Sequence, residues 1–318
     1  MARISLATEE MSLWCSREAR RGNLVPMKTH DEGTGRWARD GLSRPEDYPA
    51  MVGGRLCTVG EATVPAADEG LLRGDGAFEF IRVYCGHPFT LAEHLARLER
   101  TCATVRLACN RDQLEREIGA IVAELGPKTY DLRIVLTRGG ERLVLAEPIP
   151  AAPDSLRLAL VVDTPRRVLG GAKTLSYAGN MLAKRLAIER GFDEALLVTP
   201  KGRVLELQTA SFFYVDRGGT LCTPPLAGEI LDSVTRRVLF KRLTVEERPC
   251  TRDQVFTWRE AFAASTAREV LPVGAIETRT FDEVPGPLTL AAQDAFWDEV
   301  KATTGVDRVG KRACHLPQ

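Results

Sequence analysis

Glu206 sits inside the otherwise apolar run Val204-Leu205-Glu206-Leu207, where a carboxylate without a partner would be costly. That placement suits an acid set against a positively charged group. Val234 and Thr235 lie where a loop enters the helical stretch 233–243, so their N–H groups would face an anion from a helix N-terminus. Lys173 closes a Pro- and Gly-punctuated stretch, 162–174, that suits an interdomain connection. Other chemistries find no support. The four histidines, at 30, 87, 94 and 315, form no H-E-x-x-H or similar cluster, so no metal site is expected. Neither a phosphate loop nor a G-x-G-x-x-G between strand and helix occurs. Arg73-Gly74-Asp75 is an adhesion tripeptide only in a secreted protein, and tripeptides recur by chance. The eight cysteines (15, 57, 85, 102, 109, 222, 250 and 314) are scattered and contain no C-x-x-C, which predicts reduced thiols in a cytoplasmic protein.

The elements that must position these residues follow from periodicity. The segment 51–59 reads as a hairpin around Gly53-Gly54, and 77–84 as a strand before the turn Cys85-Gly86. Thr90 and Glu93 have the spacing of a capping box, followed by Leu91, Leu95, Leu98, Cys102 and Val105 at helical intervals. Asn110 repeats the capping logic ahead of Leu114, Ile118, Ile121, Val122 and Leu125. Strands are expected over 131–139 and 155–163, and a helix over 180–190 closed by Gly191. The remainder alternates short strands with turns at Lys201-Gly202 and Gly218-Gly219, a helix over 233–243, and a strand pair around 265–268.

With 318 residues, 44% hydrophobic and 27% charged, the chain has the balance of a globular protein of one large or two ordinary domains. Lys plus Arg equals Asp plus Glu at 43 each, which argues against a nucleic-acid partner held by overall positive charge. No stretch has the length and apolarity of a transmembrane helix, and the N-terminus does not read as a secretion signal. The predicted class is α+β in two domains. Residues 1–48 are an extension of different texture, 49–162 a small α+β domain, 163–172 the connection, 173–302 a larger barrel-like β domain with peripheral helices, and 303–318 a tail.

Seven segments, in order, resemble the class IV (fold type IV) pyridoxal-phosphate enzymes. Gly74-Asp75-Gly76-Ala77-Phe78-Glu79 is similar to their G-D-G-x-[FY]-E, and His94-Leu95-Ala96-Arg97-Leu98 to their H-x-x-R-L helix. Lys173-Thr174-Leu175-Ser176-Tyr177 resembles the segment of the cofactor-binding lysine, and Gly202-Arg203-Val204-Leu205-Glu206 the G-x-[VI]-x-E strand. Thr223-Pro224-Pro225-Leu226, the loop 230–236 and the stretch 265–273 complete the set, which spans about 50–300.

The resemblance implies pyridoxal 5'-phosphate as cofactor and the transfer of an amino group between an amino acid or amine and a 2-oxo acid. It implies Lys173 as the catalytic amine, Glu206 against the pyridine nitrogen, and Tyr177 at the phenolic oxygen. Arg97, Val234, Thr235 and Thr266 would hold the phosphate. Phe78, Arg82, Arg138, Ala267 and Arg268 are expected on the substrate side, and a homodimer is expected as the assembly. The spacing around Lys173 and the run Leu136-Thr137-Arg138-Gly139 are more similar to D-amino-acid aminotransferases and lyases than to branched-chain enzymes. The donor stays open among D-amino acids, branched-chain L-amino acids and (R)-amines. The alternatives are an aminodeoxychorismate lyase and a non-catalytic cofactor-binding protein. Three departures bear on this choice: Leu207 and Ser211 where Gly and Asn are usual, Ser233 where Gly is usual, and Arg268 where small residues are common. A guanidinium at 268 would favour carboxylate-bearing substrates over simple amines, unless it turns outward to an acid such as Glu269.

Overall fold

The computed structural model describes residues 44–164, 167–227 and 229–314. The expected extension lies outside the described residues except for its last five. Of these, Pro45–Asp47 form a 3-10 turn and Tyr48 is buried in the first core.

The first sheet has six strands, β1 (Pro49–Val52), β2 (Arg55–Thr58), β3 (Gly76–Tyr84), β4 (His87–Pro88), β5 (Tyr130–Thr137) and β6 (Arg142–Glu147), in the order β2-β1-β6-β5-β3-β4. Gly53 and Gly54 both adopt positive φ, which lets two residues turn the β1–β2 hairpin. Two helices, Leu91–Val105 and Arg111–Leu125, cover this sheet, and their apolar stripes meet Ile81, Leu132 and Ile134. Asn110 caps the second helix by accepting from Gln113 N at 3.1 Å. The expected capping box at Thr90 is absent: Thr90 is in the left-handed region at φ 49, and its hydroxyl makes no cap bond.

The second sheet runs β12-β11-β10-β13-β14-β7-β8-β9, with β15 on β14. Its strands are β7 (Leu156–Val162), β8 (Glu194–Val198), β9 (Val204–Leu207), β10 (Ser211–Val215), β11 (Leu221–Thr223), β12 (Glu246–Glu247), β13 (Glu260–Ser265), β14 (Glu269–Ile276) and β15 (Arg279–Thr280). Strand β7, assigned from sequence to the small domain, belongs here. It pairs in parallel with β8 and β14, so the boundary between sheets falls before residue 156. Helices Ala178–Glu189, Val234–Arg242 and Pro287–Thr304 lie outside the sheet. The tail is also structured: Arg308–Ala313 is helical, and Cys314 forms a disulfide with Cys85 at the end of β3. This corrects the expectation of reduced thiols throughout. The partners are 229 residues apart, so no local spacing announces them. Cys57, Cys102, Cys109, Cys222 and Cys250 are free, and Cys15 lies outside the described residues. No helix among the described residues is long and apolar enough to cross a membrane.

Candidate active site

The segment carrying Lys173 is tied to the first sheet and its covering helix by three hydrogen bonds. Phe78 N donates to Lys173 O at 3.0 Å, Leu175 N donates to Gly76 O at 3.0 Å, and Lys173 N donates to Thr101 Oγ1 at 3.1 Å. Gly76 is required at this junction, because a Cβ there would stand 2.3 Å from Leu136 O and 2.5 Å from a Leu175 methyl. The Lys173 side chain enters a cavity of about 1300 Å³, with Nζ 4.1 Å from the Phe78 ring centroid and 5.5 Å from that of Tyr177. The two rings meet edge-on at 5.1 Å. Desolvation, with Arg97 adding to it, pushes the Lys173 amine down to about 8.

Glu206 lines the same cavity from β9 and accepts from Leu231 N at 3.0 Å. Burial pushes its carboxyl up to about 8, against the opposing pull of that N–H and of Lys173. An acid so disposed is short of one cationic donor. Across the cavity, the Val234–Arg242 helix starts at Ser233, whose hydroxyl accepts from Arg236 N at 3.4 Å. The serine found where glycine is usual is therefore a working N-cap. The first-turn N–H groups of Val234 and Thr235 have no helical acceptor of their own. Both side chains are buried, and Ser233 rather than either of them lines the cavity.

Arg97 reaches this helix start from the Leu91–Val105 helix. It binds Glu79 through Nε at 2.8 Å and Nη2 at 2.6 Å, and its Nη1 donates to Asp232 O at 3.4 Å. Glu79 is fully buried, and the Arg97 guanidinium, with the His94 ring beside it, holds its carboxyl well below the usual range despite that burial. Thr266, Ala267 and Arg268 line the cavity. Arg268 does not turn outward. One terminal nitrogen donates to Thr209 Oγ1 at 2.8 Å and the other pairs with the buried Glu194.

Two expected substrate residues lie elsewhere. Arg82 is 1% exposed beneath the 265–268 turn, where it pairs with Asp131 and donates to Ala267 O at 2.8 Å. It shapes the turn from behind, because an arginine this deep must meet its counter-ion there. Arg138 binds Asp75 at 3.0 Å and the carbonyl of Arg106 at 2.6 Å, closing the end of the Leu91–Val105 helix outside the cavity. Sequence reasoning missed Arg133, which enters the cavity from β5, pairs with Glu147 and lies 4.9 Å over Phe80. A charged residue in the apolar run 130–137 was the available signal. It also missed Asn180, whose Nδ2 donates to Gln208 O at 2.6 Å, and that same carbonyl accepts from Tyr177 Oη at 3.4 Å. Leu207 and Ser211, the other departures, are both buried. Leu207 packs in the second core, and Ser211 Oγ stands on the cavity wall without a partner.

Comparison with known proteins agrees with this geometry. Residues 76–276 match the family described as amino-transferase class IV. A D-alanine aminotransferase of Bacillus licheniformis is 31% identical over 278 residues, covering 80% of this chain and 98% of the relative. The branched-chain aminotransferase of Thermoproteus uzoniensis, solved with norvaline, superposes with a TM-score of 0.71 at 26% identity, covering 83% of this chain and 97% of that one. A hypothetical aminotransferase from Mycobacterium tuberculosis, solved in its PLP-bound form, shares the fold with a TM-score of 0.74 at 21% identity, covering 81% of this chain and 99% of that one. With Lys173 and Glu206 on one cavity and both inside the matched span, the chain belongs to the class IV aminotransferase family.

Proposed function

We infer that the protein is a pyridoxal-phosphate-dependent aminotransferase that moves an amino group between an amino acid and a 2-oxo acid. The observation that carries this reading is Lys173 and Glu206 on one cavity, an amine pushed down to about 8 and a carboxyl pushed up to about 8. The residues fit the cofactor: Glu206 lacks a cationic donor, and the Ser233 helix start offers free N–H groups beside Arg97. When bound, pyridoxal phosphate supplies an electron-withdrawing ring that acidifies the substrate's α C–H bond and carries the amino group.

Glu206 would keep a proton on the ring nitrogen, since a carboxylate beside that site favours the charged form. Arg97 and the N–H groups of Val234 and Thr235 would hold the phosphate. Thr266 would add a hydroxyl from the facing turn. Lys173 at about 8 exists partly as the free amine near neutrality, so it can both take and return a proton. The Tyr177 phenol, pushed above its usual range by burial, stays protonated and can donate to an oxygen of the ring. Phe78 and Tyr177 wall off water from the amine.

The assembly expected is a homodimer. Leu182 and Leu186, one turn apart on the Ala178–Glu189 helix, are 50% and 40% exposed, apolar side chains that a second copy would cover. The test of the activity is spectroscopic. The purified holoenzyme is mixed with D-alanine, L-leucine, D- or L-glutamate or (R)-phenylethylamine and its cofactor absorption followed. Conversion to the pyridoxamine form by an amino acid supports transamination, and an unchanged spectrum with every amine refutes it.

A further inference from the structure

Two cations share one buried carboxylate oxygen on the cavity wall. Glu194 opens β8 with its side chain 4% exposed, and its Oε1 accepts from Lys184 Nζ at 3.0 Å and from a terminal nitrogen of Arg268. Its Oε2 is buried and meets no donor. One carboxylate against two cations leaves the cluster with one positive charge in surplus. Arg268 uses two of its five side-chain N–H donors, on Thr209 and Glu194, and Lys184 one of its three.

The cluster stands beside the reacting region. Tyr177, whose ring lies 5.5 Å from Lys173 Nζ, donates to Gln208 O, and the next residue, Thr209, anchors Arg268. Asn180 and Lys184 are four residues apart on one helix, so the contact of Asn180 with that carbonyl puts Lys184 on the same face. Lys184, Glu194, Thr209 and Arg268 all line the cavity. A partly buried surplus charge is costly until an anion meets it. An apolar side chain placed there gains nothing from the surplus, whereas a carboxylate gains both a planar guanidinium and a point-charge ammonium.

We propose that Arg268 and Lys184, gathered by Glu194, form the element that selects a substrate with an acidic side chain over one with an apolar side chain. Arg268 thus reads the second carboxylate, and the first is left to the turn 265–267. Glu194 is a positioning residue that brings the two cations to one point. This inference rests on the reading of the cavity as an aminotransferase site.

The test compares 2-oxoglutarate with pyruvate as acceptor, for the wild-type holoenzyme and for Arg268→Ala, Arg268→Lys and Lys184→Ala. Calorimetry measures the binding of unreactive glutarate and butyrate to the same preparations. The ratio of kcat/KM for the dicarboxylic acid over the monocarboxylic one should fall roughly 10- to 100-fold in Arg268→Ala, the worth of a hydrogen bond to a charged group, mainly through KM. Arg268→Lys should restore part of the ratio, and glutarate affinity should fall in parallel while butyrate affinity does not follow it. Lys184 is 37% exposed, so its variant folds and carries the test if Arg268→Ala does not. Unchanged ratios and unchanged glutarate binding in both variants overturn the proposal. A wild type that converts no amino acid defeats the aminotransferase reading instead, and the glutarate calorimetry still decides the cluster.

Discussion

Glu79→Gln should cost far more stability than an amide-for-acid exchange at the surface. The Glu79 side chain is fully buried and carries two hydrogen bonds from Arg97, at 2.8 and 2.6 Å, with His94 Nδ1 3.3 Å away. A neutral amide leaves the Arg97 guanidinium, only 5% exposed, without its counter-ion. Breaking a buried pair by removing one partner costs about 3–5 kcal/mol, which in a chain of this size lowers Tm by roughly 4–8 °C. The pH dependence has a definite sign. Because the native pKa is depressed below the ordinary 4.5, the stabilisation is fully present above that value and is lost only as pH falls through the native one. The gap between wild type and variant should therefore be flat from pH 5 to 8. Pyridoxal phosphate or inorganic phosphate should narrow it, because an anion at the Ser233 helix start gives Arg97 a new partner. Calorimetry with and without phosphate reads both effects. A Tm within 2 °C of wild type would show that the pair does not anchor Arg97.

Glu206→Gln in the cofactor-free protein should behave in the opposite sense. A raised native pKa makes the carboxyl increasingly costly between pH 4.5 and about 8, so the variant should match wild type near pH 4 and exceed its Tm by pH 8; a constant difference across that range refutes the burial of this acid. Alkylation of the unreduced protein should spare Cys85 and Cys314, and Cys314→Ser should lower Tm through loss of a 229-residue loop closure, worth up to about 5 kcal/mol; full alkylation of both thiols refutes the link. Light scattering should give twice the 35.0 kDa chain mass, and an active monomer removes the dimer.

Local elements were legible because their signals are local. The Arg111–Leu125 helix has its cap at Asn110 and its stripe in the sequence, and strand β3 reads directly from 77–84. Non-local pairing was not legible. β7 looks like one more strand of the small domain until β8 and β14, both later in the chain, flank it. β6 and the Pro287–Thr304 helix were overlooked, although Pro287 at the first helical turn and Gly305 at the C-cap mark the latter. At the site, the resemblance to class IV enzymes singles out Lys173, Glu206, Arg97 and Phe78, and they share one cavity. The directions of Arg82 and Arg138 could not be read, because Asp131 and Asp75 decide them. Ser233 as a cap and Glu194 beneath Arg268 are likewise properties of the folded neighbourhood rather than of either segment.

The central claim is that Lys173 is the amine that holds and serves the cofactor. Two lysines line the cavity, Lys173 and Lys184, so the claim has a near competitor. Borohydride reduction of the holoenzyme followed by peptide mapping distinguishes them, since reduction fixes the cofactor permanently on the amine that binds it. The label should fall on the peptide containing Lys173 and be lost in Lys173→Ala. A label on Lys184 or any other lysine would contradict it.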